Sequence, residues 1–174
     1  MLTYRVAPHR HPLPLRDVQR AIRLVRSGGA GRETPSSVGI LGFSAGGHLC
    51  ATASTQYDAG DPSAANPIDR TASRPDFAIL CYPVISFVDE VHQGCIDNLL
   101  GPDADEATRR AMSAEANVTS DTPPTFVWHT AEDQAVPVGH ALAYARALGN
   151  AGVQYELHVF PEGRHGLGLA DGYA

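Results

Sequence analysis

Ser44 lies in a sequence pattern that can make a serine hydroxyl a nucleophile. Residues 42–46 read Gly-Phe-Ser-Ala-Gly and match the pattern G-x-S-x-G. Because glycine and serine are common, the pattern needs its structural context to mean anything. Here an apolar run, residues 38–43, precedes it and a stretch of small residues follows, as expected for a strained strand-to-helix turn, a nucleophile elbow. We predict Ser44 as the nucleophile and the backbone N–H of Ala45 as an oxyanion donor at the helix start.

A serine nucleophile needs a base, and the base needs an acid to orient it. Asp133 and His165 follow Ser44 in the chain order that accompanies this pattern. Each comes just after a predicted strand, and the carboxyl ends of parallel strands meet at one edge of a sheet. We therefore predict Asp133 as the orienting acid and His165 as the base. Glu132, next to Asp133, is the alternative acid.

Other titratable residues fit this chemistry less well. Asp121 precedes its predicted strand, so it lies at the wrong end of the sheet. His129 ends that strand but comes before Asp133 in the chain. His48 follows Ser44 by one helical turn and is expected to pack or cap locally. Surface or edge positions are predicted for three further histidines, His92, His140 and His158.

No metal site and no cofactor is predicted. His9 and His11 form an H-x-H arrangement, but no third ligand accompanies them. The chain has three cysteines, an odd number without C-x-x-C spacing, so a disulfide framework is not expected. Cys50 and Cys81 lie in apolar surroundings and are predicted to be core residues. Cys95, in a polar stretch, is predicted to be the exposed thiol.

Strands and helices alternate in the predicted secondary structure. This order indicates the α/β class, a parallel sheet of about four strands with flanking helices. We expect Gly42 and Gly46 to allow the strand before Ser44 and the helix after it to approach closely. Residues 2–7 are predicted to be the end of another strand. The predicted strands are 38–43, 77–82, 125–129 and 154–160, and the predicted helices are 15–27, 46–56 and 138–148, with short helical pieces near 94–100 and 104–113.

Composition limits the class of protein. The 174 residues are 43% hydrophobic and 18% charged, which suits one globular domain, residues 1–174. Apolar runs are too short for a membrane helix, and residues 1–30 lack the apolar core of a signal peptide, so a cytoplasmic protein is expected. Basic residues cluster in residues 1–32, but helical spacing predicts a solvated face rather than a nucleic-acid site. That face carries Arg16, Arg20 and Arg23, opposite an apolar stripe of Leu15, Val18, Ile22 and Val25.

The chain resembles the α/β-hydrolase fold, and within it a bacterial esterase/lipase group that includes acetyl esterases, acetyl xylan esterases and related carboxylesterases. The resemblance implies that Ser44, Asp133 and His165 form a catalytic triad. It also implies hydrolysis of a small-molecule ester with a short acyl group, such as acetyl on carbohydrate. The matching stretches are Tyr4-Arg5-Val6-Ala7-Pro8, residues 42–48, Asp121-Thr122-Pro123-Pro124-Thr125-Phe126 leading to Asp133, and residues 156–160 leading to His165-Gly166-Leu167-Gly168.

The chain also departs from the family pattern. Only 43 residues precede Ser44, so the family's first three strands are absent and the domain is N-terminally truncated relative to the family. No HGGG-type segment, the usual source of the other oxyanion donors, is present, so weak activity is expected. The strand at 38–43 should then be an unpaired edge that favours a homo-oligomer such as a dimer. A peptidase or thioesterase with the same triad, or a non-catalytic module that self-associates, are the alternative functions.

Overall fold

Four short apolar segments form one parallel sheet in a computed structural model that describes residues 1–31 and 33–170. Arg32 and residues 171–174 of the predicted domain lie outside the described residues. The strands follow one another across the sheet in chain order, and every neighbouring pair is parallel. The predicted α/β class is therefore confirmed. The strands are β1 (Gly39–Phe43), β2 (Phe77–Cys81), β3 (Thr125–Thr130) and β4 (Tyr155–Phe160).

Helices connect the strands and cover mainly one face of the sheet. Residues two apart on a strand share a face, and Leu80 of β2 and Val127 of β3 pack in one cluster with Tyr144 and Leu148 of a helix. The helices are α1 (Leu13–Arg26), α2 (Ala45–Thr55), α3 (Gln93–Leu99), α4 (Glu106–Ala111) and α5 (Gly139–Asn150), with 3₁₀ turns at Gly29–Gly31, Pro67–Arg70 and Ala114–Asn117.

The opposite face of the sheet is less well covered. Leu41 and Phe160 point to that face and are 47% and 50% exposed. Within the described ranges β1 is an edge strand, as the sequence predicted, because only β2 pairs with it. An apolar edge of this kind can pair with another chain. Association through residues 38–43 stays a prediction.

The polar face of α1 was predicted to be solvated, but part of it contacts another segment of the chain. Arg20 and Arg23 form ion pairs with Asp69 and Asp58, so the predicted solvated face binds the segment that follows α2. Only Arg16 of the predicted set is exposed. Val25 of the predicted apolar stripe is 43% exposed, because the stripe leaves the core near the end of α1.

Three further predictions were wrong. Residues 2–7 form no strand and instead run in an extended, irregular path toward α1. Cys95 is buried, because α3 turns it toward a small cluster with Phe87 and Ile96. His140 is buried as well, since its ring supplies hydrogen bonds that the main chain needs. Nδ1 accepts from the N–H groups of Ile85 and Ser86, and Nε2 donates to a carbonyl oxygen.

Across residues 1–31 and 33–170, the helices are too short or too polar to span a bilayer.

Candidate active site

Ser44 is held on a strained turn between β1 and α2. Its φ is +54° and its ψ is −119°, a conformation that side-chain-bearing residues rarely adopt. The main chain fixes this turn from both sides: Ser44 N donates to Cys81 O at 3.0 Å, and Ser44 O accepts from Val84 N at 3.2 Å. The hydroxyl does not cap α2. It is therefore free to project from the carboxyl edge of the sheet.

Close packing around the Ser44 turn depends on two glycines: Gly42, which was predicted, lies between β1 and α2, and Gly47, which was not, lies between α2 and the segment after β2. A Cβ on Gly42 would lie 2.2 Å from Gly46 O, and a Cβ on Gly47 would lie 2.7 Å from Pro83 Cβ. Both distances are shorter than any real contact of a Cβ atom. Gly46 differs, because the nearest atom to its Cβ position is Tyr4 Oη at 3.8 Å. The crowded positions are thus Gly42 and Gly47, and the expectation for Gly46 was wrong.

Asp133 lies in the turn after β3 and is buried there. Its Oδ1 accepts from the backbone N–H groups of Ala135 and Val136, each at 2.9 Å. Its Oδ2 accepts from His165 Nδ1 at 2.6 Å. Burial by itself raises the pKa of this carboxyl, but the bonds from Val136, His165 and Ala135 outweigh it and lower the pKa below its ordinary value. Asp133 is therefore a carboxylate at neutral pH.

His165 lies in the loop after β4 and joins the other two side chains. Because a carboxylate can only accept a hydrogen bond, Nδ1 of His165 carries a proton and donates the hydrogen bond to Asp133. The bare Nε2 then accepts from the hydroxyl of Ser44, with 2.8 Å between Nε2 and Oγ. The three predicted side chains thus form one hydrogen-bonded chain at the carboxyl edge. Their catalytic roles remain predictions.

Tyr82 is a site residue that the sequence reasoning missed. It directly follows β2 with φ at +38°, and its ring packs edge-on against the ring of His165, with 5.0 Å between centroids. Its hydroxyl accepts from Gly168 N at 2.9 Å, three residues beyond His165. The rule that identified Asp133 and His165, a polar residue just past a strand, could have found Tyr82 as well.

His129 was set aside by chain order, and it lies beside Asp133. Its ring is fully buried, with Nε2 2.9 Å from Val136 O and 3.3 Å from Asp133 Oδ2. The sequence contained a signal for this contact, because His129 ends the predicted strand and Asp133 follows it by only four residues. Chain order argues against His129 as the base, but it does not bear on whether His129 contacts Asp133.

The remaining candidates lie where they serve structure. Glu132, the alternative acid, accepts from Gly163 N at 3.2 Å, whereas its neighbour Asp133 takes the bond from His165. Asp121 is exposed in the turn that precedes β3. His48 packs, as predicted, but its contacts are not local in the sequence: its ring stacks on Phe87 and its Nε2 is 2.9 Å from Met112 O.

Ala45, the predicted oxyanion donor, begins α2 and borders a cavity. The cavity has a volume of about 300 Å³ and lies between α2, α3 and the N-terminal segment. Its lining is mostly apolar. Residues that contribute to it include Tyr4, Val6, Ala45, Leu49, Asn98 and Leu99.

The chain belongs to the alpha/beta hydrolase fold family, whose pattern it matches over residues 1–169. It is 35% identical over 97% of its length to an acetylxylan esterase of Xylanibacter ruminicola. It is 36% identical over 92% of its length to the endo-1,4-beta-xylanase B of Butyrivibrio fibrisolvens. A solved acetyl ester-xyloside bifunctional hydrolase from Caldicellulosiruptor lactoaceticus superposes with a TM-score of 0.96 at 48% identity over 99% of this chain.

The match covers only part of each of these proteins. The chain spans 34% of the acetylxylan esterase and 25% of the xylanase. It spans 64% of the solved hydrolase. The activities of those whole proteins therefore apply to this chain as a proposal.

Proposed function

We propose that this chain hydrolyses carboxylic esters of short acyl groups, including acetyl groups on carbohydrate, through an acyl-enzyme on Ser44. The observation that carries the proposal is the unbroken hydrogen-bonded chain from Asp133 through His165 to Ser44. Similarity to esterases that act on acetylated substrates, named above, supports the ester and acetyl specificity.

The geometry supports a two-step acyl transfer. His165 Nε2 takes the proton of Ser44 as Oγ attacks the ester carbonyl carbon, and a tetrahedral adduct forms. The adduct collapses when the imidazolium gives its proton to the departing alcohol. Water, deprotonated by the same ring, then attacks the acyl-enzyme and releases the acid. Asp133 keeps the ring in the required tautomer and stabilises its positive charge.

The adduct places a negative charge on the former carbonyl oxygen. Ala45 N–H at the start of α2 is the proposed donor to this oxyanion, and the helix dipole acts in the same direction. The sequence has no HGGG-type segment to supply further donors. Loss of one oxyanion-hole donor in a serine protease costs about 3 kcal/mol of transition-state stabilisation, which sets the scale of the contribution proposed for Ala45 N–H.

Hydrolysis of p-nitrophenyl acetate by the wild type and by Ser44→Ala tests the proposal. We expect Ser44→Ala to lower kcat/KM by about 10³-fold or more, because the nucleophile is lost. Ser54→Ala is the matched control: Ser54 is buried in the same helix and its hydroxyl has no partner among the described residues. Equal rates for wild type and Ser44→Ala would overturn the proposal.

Substrate class needs a second comparison. We expect acetylated xylo-oligosaccharides to be cleaved faster than an acetyl thioester or a peptide amide at equal concentration. A faster thioester or amide reaction would replace the ester assignment with the alternative of the same triad. A chain that hydrolyses none of these substrates and does not react with a fluorophosphonate probe would instead be a non-catalytic module.

The proposal extends to surroundings and partners. A small ester is the proposed ligand, with no nucleic acid involved, and the proposed location is the cytoplasm. The acidic balance of the chain, with a net charge of −6, agrees with the absence of a nucleic-acid role.

A further inference from the structure

The imidazole of His129 lies against Asp133 and takes no part in the proposed acyl transfer. It is on β3, four residues before Asp133, and is fully buried. Its Nε2 lies 2.9 Å from Val136 O and 3.3 Å from Asp133 Oδ2. The ring thus contacts both the carboxylate and the turn that holds it.

The surroundings of this ring determine its tautomer. Both atoms that face Nε2 are oxygen acceptors, so Nε2 must carry the proton. Nδ1 is buried and has no hydrogen-bond partner among the described residues, which agrees with a bare nitrogen. The single N–H therefore donates to the main-chain carbonyl of Val136, and Asp133 Oδ2 lies close beside it at 3.3 Å.

The charge of this ring matters for the neighbouring pair. Burial lowers the pKa of His129 below its ordinary value, so the ring is neutral at the pH where esterases are assayed. A neutral donor orients Asp133 without cancelling its charge. An imidazolium in the same place would compensate the carboxylate and weaken its attraction for His165.

The two oxygens of Asp133 are held by different groups. Oδ1 is held by two backbone N–H groups of its own turn. Oδ2 accepts the short hydrogen bond from His165 and makes the longer contact with His129. His129 precedes the turn in the sequence, and His165 follows it. Rotation of the carboxylate away from His165 would break its contact with both rings.

We infer that His129 is a positioning residue that keeps the carboxylate of Asp133 directed toward His165, by donating its Nε2–H to Val136 O in the turn that holds Asp133 and by packing its ring against Asp133 Oδ2. Its place in a reaction rests on the proposed function, but the geometry can be measured without substrate. The short Asp133–His165 bond should give the Nδ1 proton of His165 a far-downfield NMR resonance. That resonance reports the bond directly, whether or not the chain hydrolyses esters.

The test compares this resonance in the wild type, His129→Leu and His129→Gln at low temperature. We expect it in the wild type and in His129→Gln, because the glutamine amide can donate from a similar position. We expect its loss or a large upfield shift in His129→Leu, together with a fall of about 10- to 100-fold in kcat/KM for p-nitrophenyl acetate. The recovery by glutamine distinguishes positioning from packing.

His140→Leu is the matched control, because His140 is equally buried and also donates from Nε2 to a main-chain carbonyl. We expect it to lose stability and keep the resonance. If His129→Leu does not fold, nitrogen-15 shifts of the wild-type histidines still test the inference, which requires a neutral His129 protonated at Nε2.

Three results would overturn the inference: a wild type without the resonance, a folded His129→Leu that keeps it, or a His129 protonated at Nδ1. Failure of the proposed function looks different. In that case the wild type shows the resonance and responds to His129→Leu, yet Ser44→Ala leaves ester hydrolysis unchanged.

Discussion

The turns that carry Ser44 and Asp133 and the loop that carries His165 are built in different ways. Ser44 is bound through its own N–H and C=O to neighbouring main chain, and Asp133 is bound by N–H groups of its own turn. Asp133 follows the interior strand β3, whereas Ser44 follows the edge strand β1 but directly precedes the mostly buried helix α2. Their geometry is therefore set by the same buried contacts that hold the fold together.

The His165 loop depends on side chains that reach across from other segments. It follows β4, whose residues are almost all exposed. Thr130 Oγ1 donates to Gly163 O at 2.8 Å, Glu132 accepts from Gly163 N, and Tyr82 accepts from Gly168 N. Few buried apolar contacts support the loop itself. Such segments open at low free-energy cost unless polar contacts hold them.

This contrast has a consequence for mutations and pH. Changes beneath Ser44 and Asp133 should lower stability and disturb the site together, because the two depend on one set of contacts. Changes in the contacts of the His165 loop should lower activity while the fold stays intact. Each of the following predictions tests one side of this difference.

Acid should lower the stability of the buried contacts, because three histidines are buried there in their neutral form. Burial lowers the pKa of His48 to about 4, and it also lowers the pKa values of His129 and His140. The unfolded chain binds these protons first, so stability is full above about pH 6.5 and falls toward pH 4. We expect His48 alone to remove about 3 kcal/mol by pH 4. Urea midpoints measured across this range check the prediction.

His48→Gln provides the control for the acid effect. The glutamine amide can donate to Met112 O, the present partner of His48, but it does not titrate. We expect its unfolding free energy to change less between pH 6.5 and pH 4 than that of the wild type. A wild type whose midpoint does not change with pH in this range would contradict the prediction.

Gly42→Ala should destabilise the packing of β1 on α2. The new Cβ would meet Gly46 O at 2.2 Å and Cys50 Sγ at 2.7 Å, so strand and helix must separate. We expect a loss of about 2 kcal/mol in unfolding free energy, together with disturbed geometry at Ser44. Gly46→Ala is the matched control, since its Cβ has room. Equal losses in both variants would show that the crowding at Gly42 does not limit stability.

Sequence patterns predicted the parts of the site that are local or that follow from strand order. The apolar run before Ser44 and the small residues after it predicted β1, the turn and α2 within one residue or so. Asp133 and His165 were found because each directly follows a strand, and parallel strands place such residues at one edge. These arguments need no knowledge of side-chain packing.

The missed features depend on contacts between distant segments. Cys95 and His140 looked polar and peripheral in the sequence, yet α3 and α5 turn them inward. Arg23 looked solvated until the segment after α2 supplied Asp58 as its partner. Tyr82 contacts His165 through its ring, although the two residues are 83 positions apart along the chain. Periodicity within one element cannot predict such contacts.

Tyr82→Phe removes a single hydrogen bond to the His165 loop and so tests how much one side-chain contact supports that loop. The ring would still pack against His165 and Trp128, but the hydroxyl that accepts from Gly168 N would be lost. We expect kcat/KM for p-nitrophenyl acetate to fall about fivefold, the equivalent of about 1 kcal/mol for one hydrogen bond. The unfolding free energy should change by less than that, because the loop contributes little to the core.

Tyr144→Phe is the matched control for this last variant. Its hydroxyl is buried in the core without a partner among the described residues, so its removal should leave kcat/KM unchanged and stability equal or higher. Measurements of kcat/KM and of the urea midpoint on the same samples separate the two effects. If Tyr82→Phe lowers the midpoint as much as Gly42→Ala does, the His165 loop is part of the cooperative core, and the contrast between the two sides of the site is wrong.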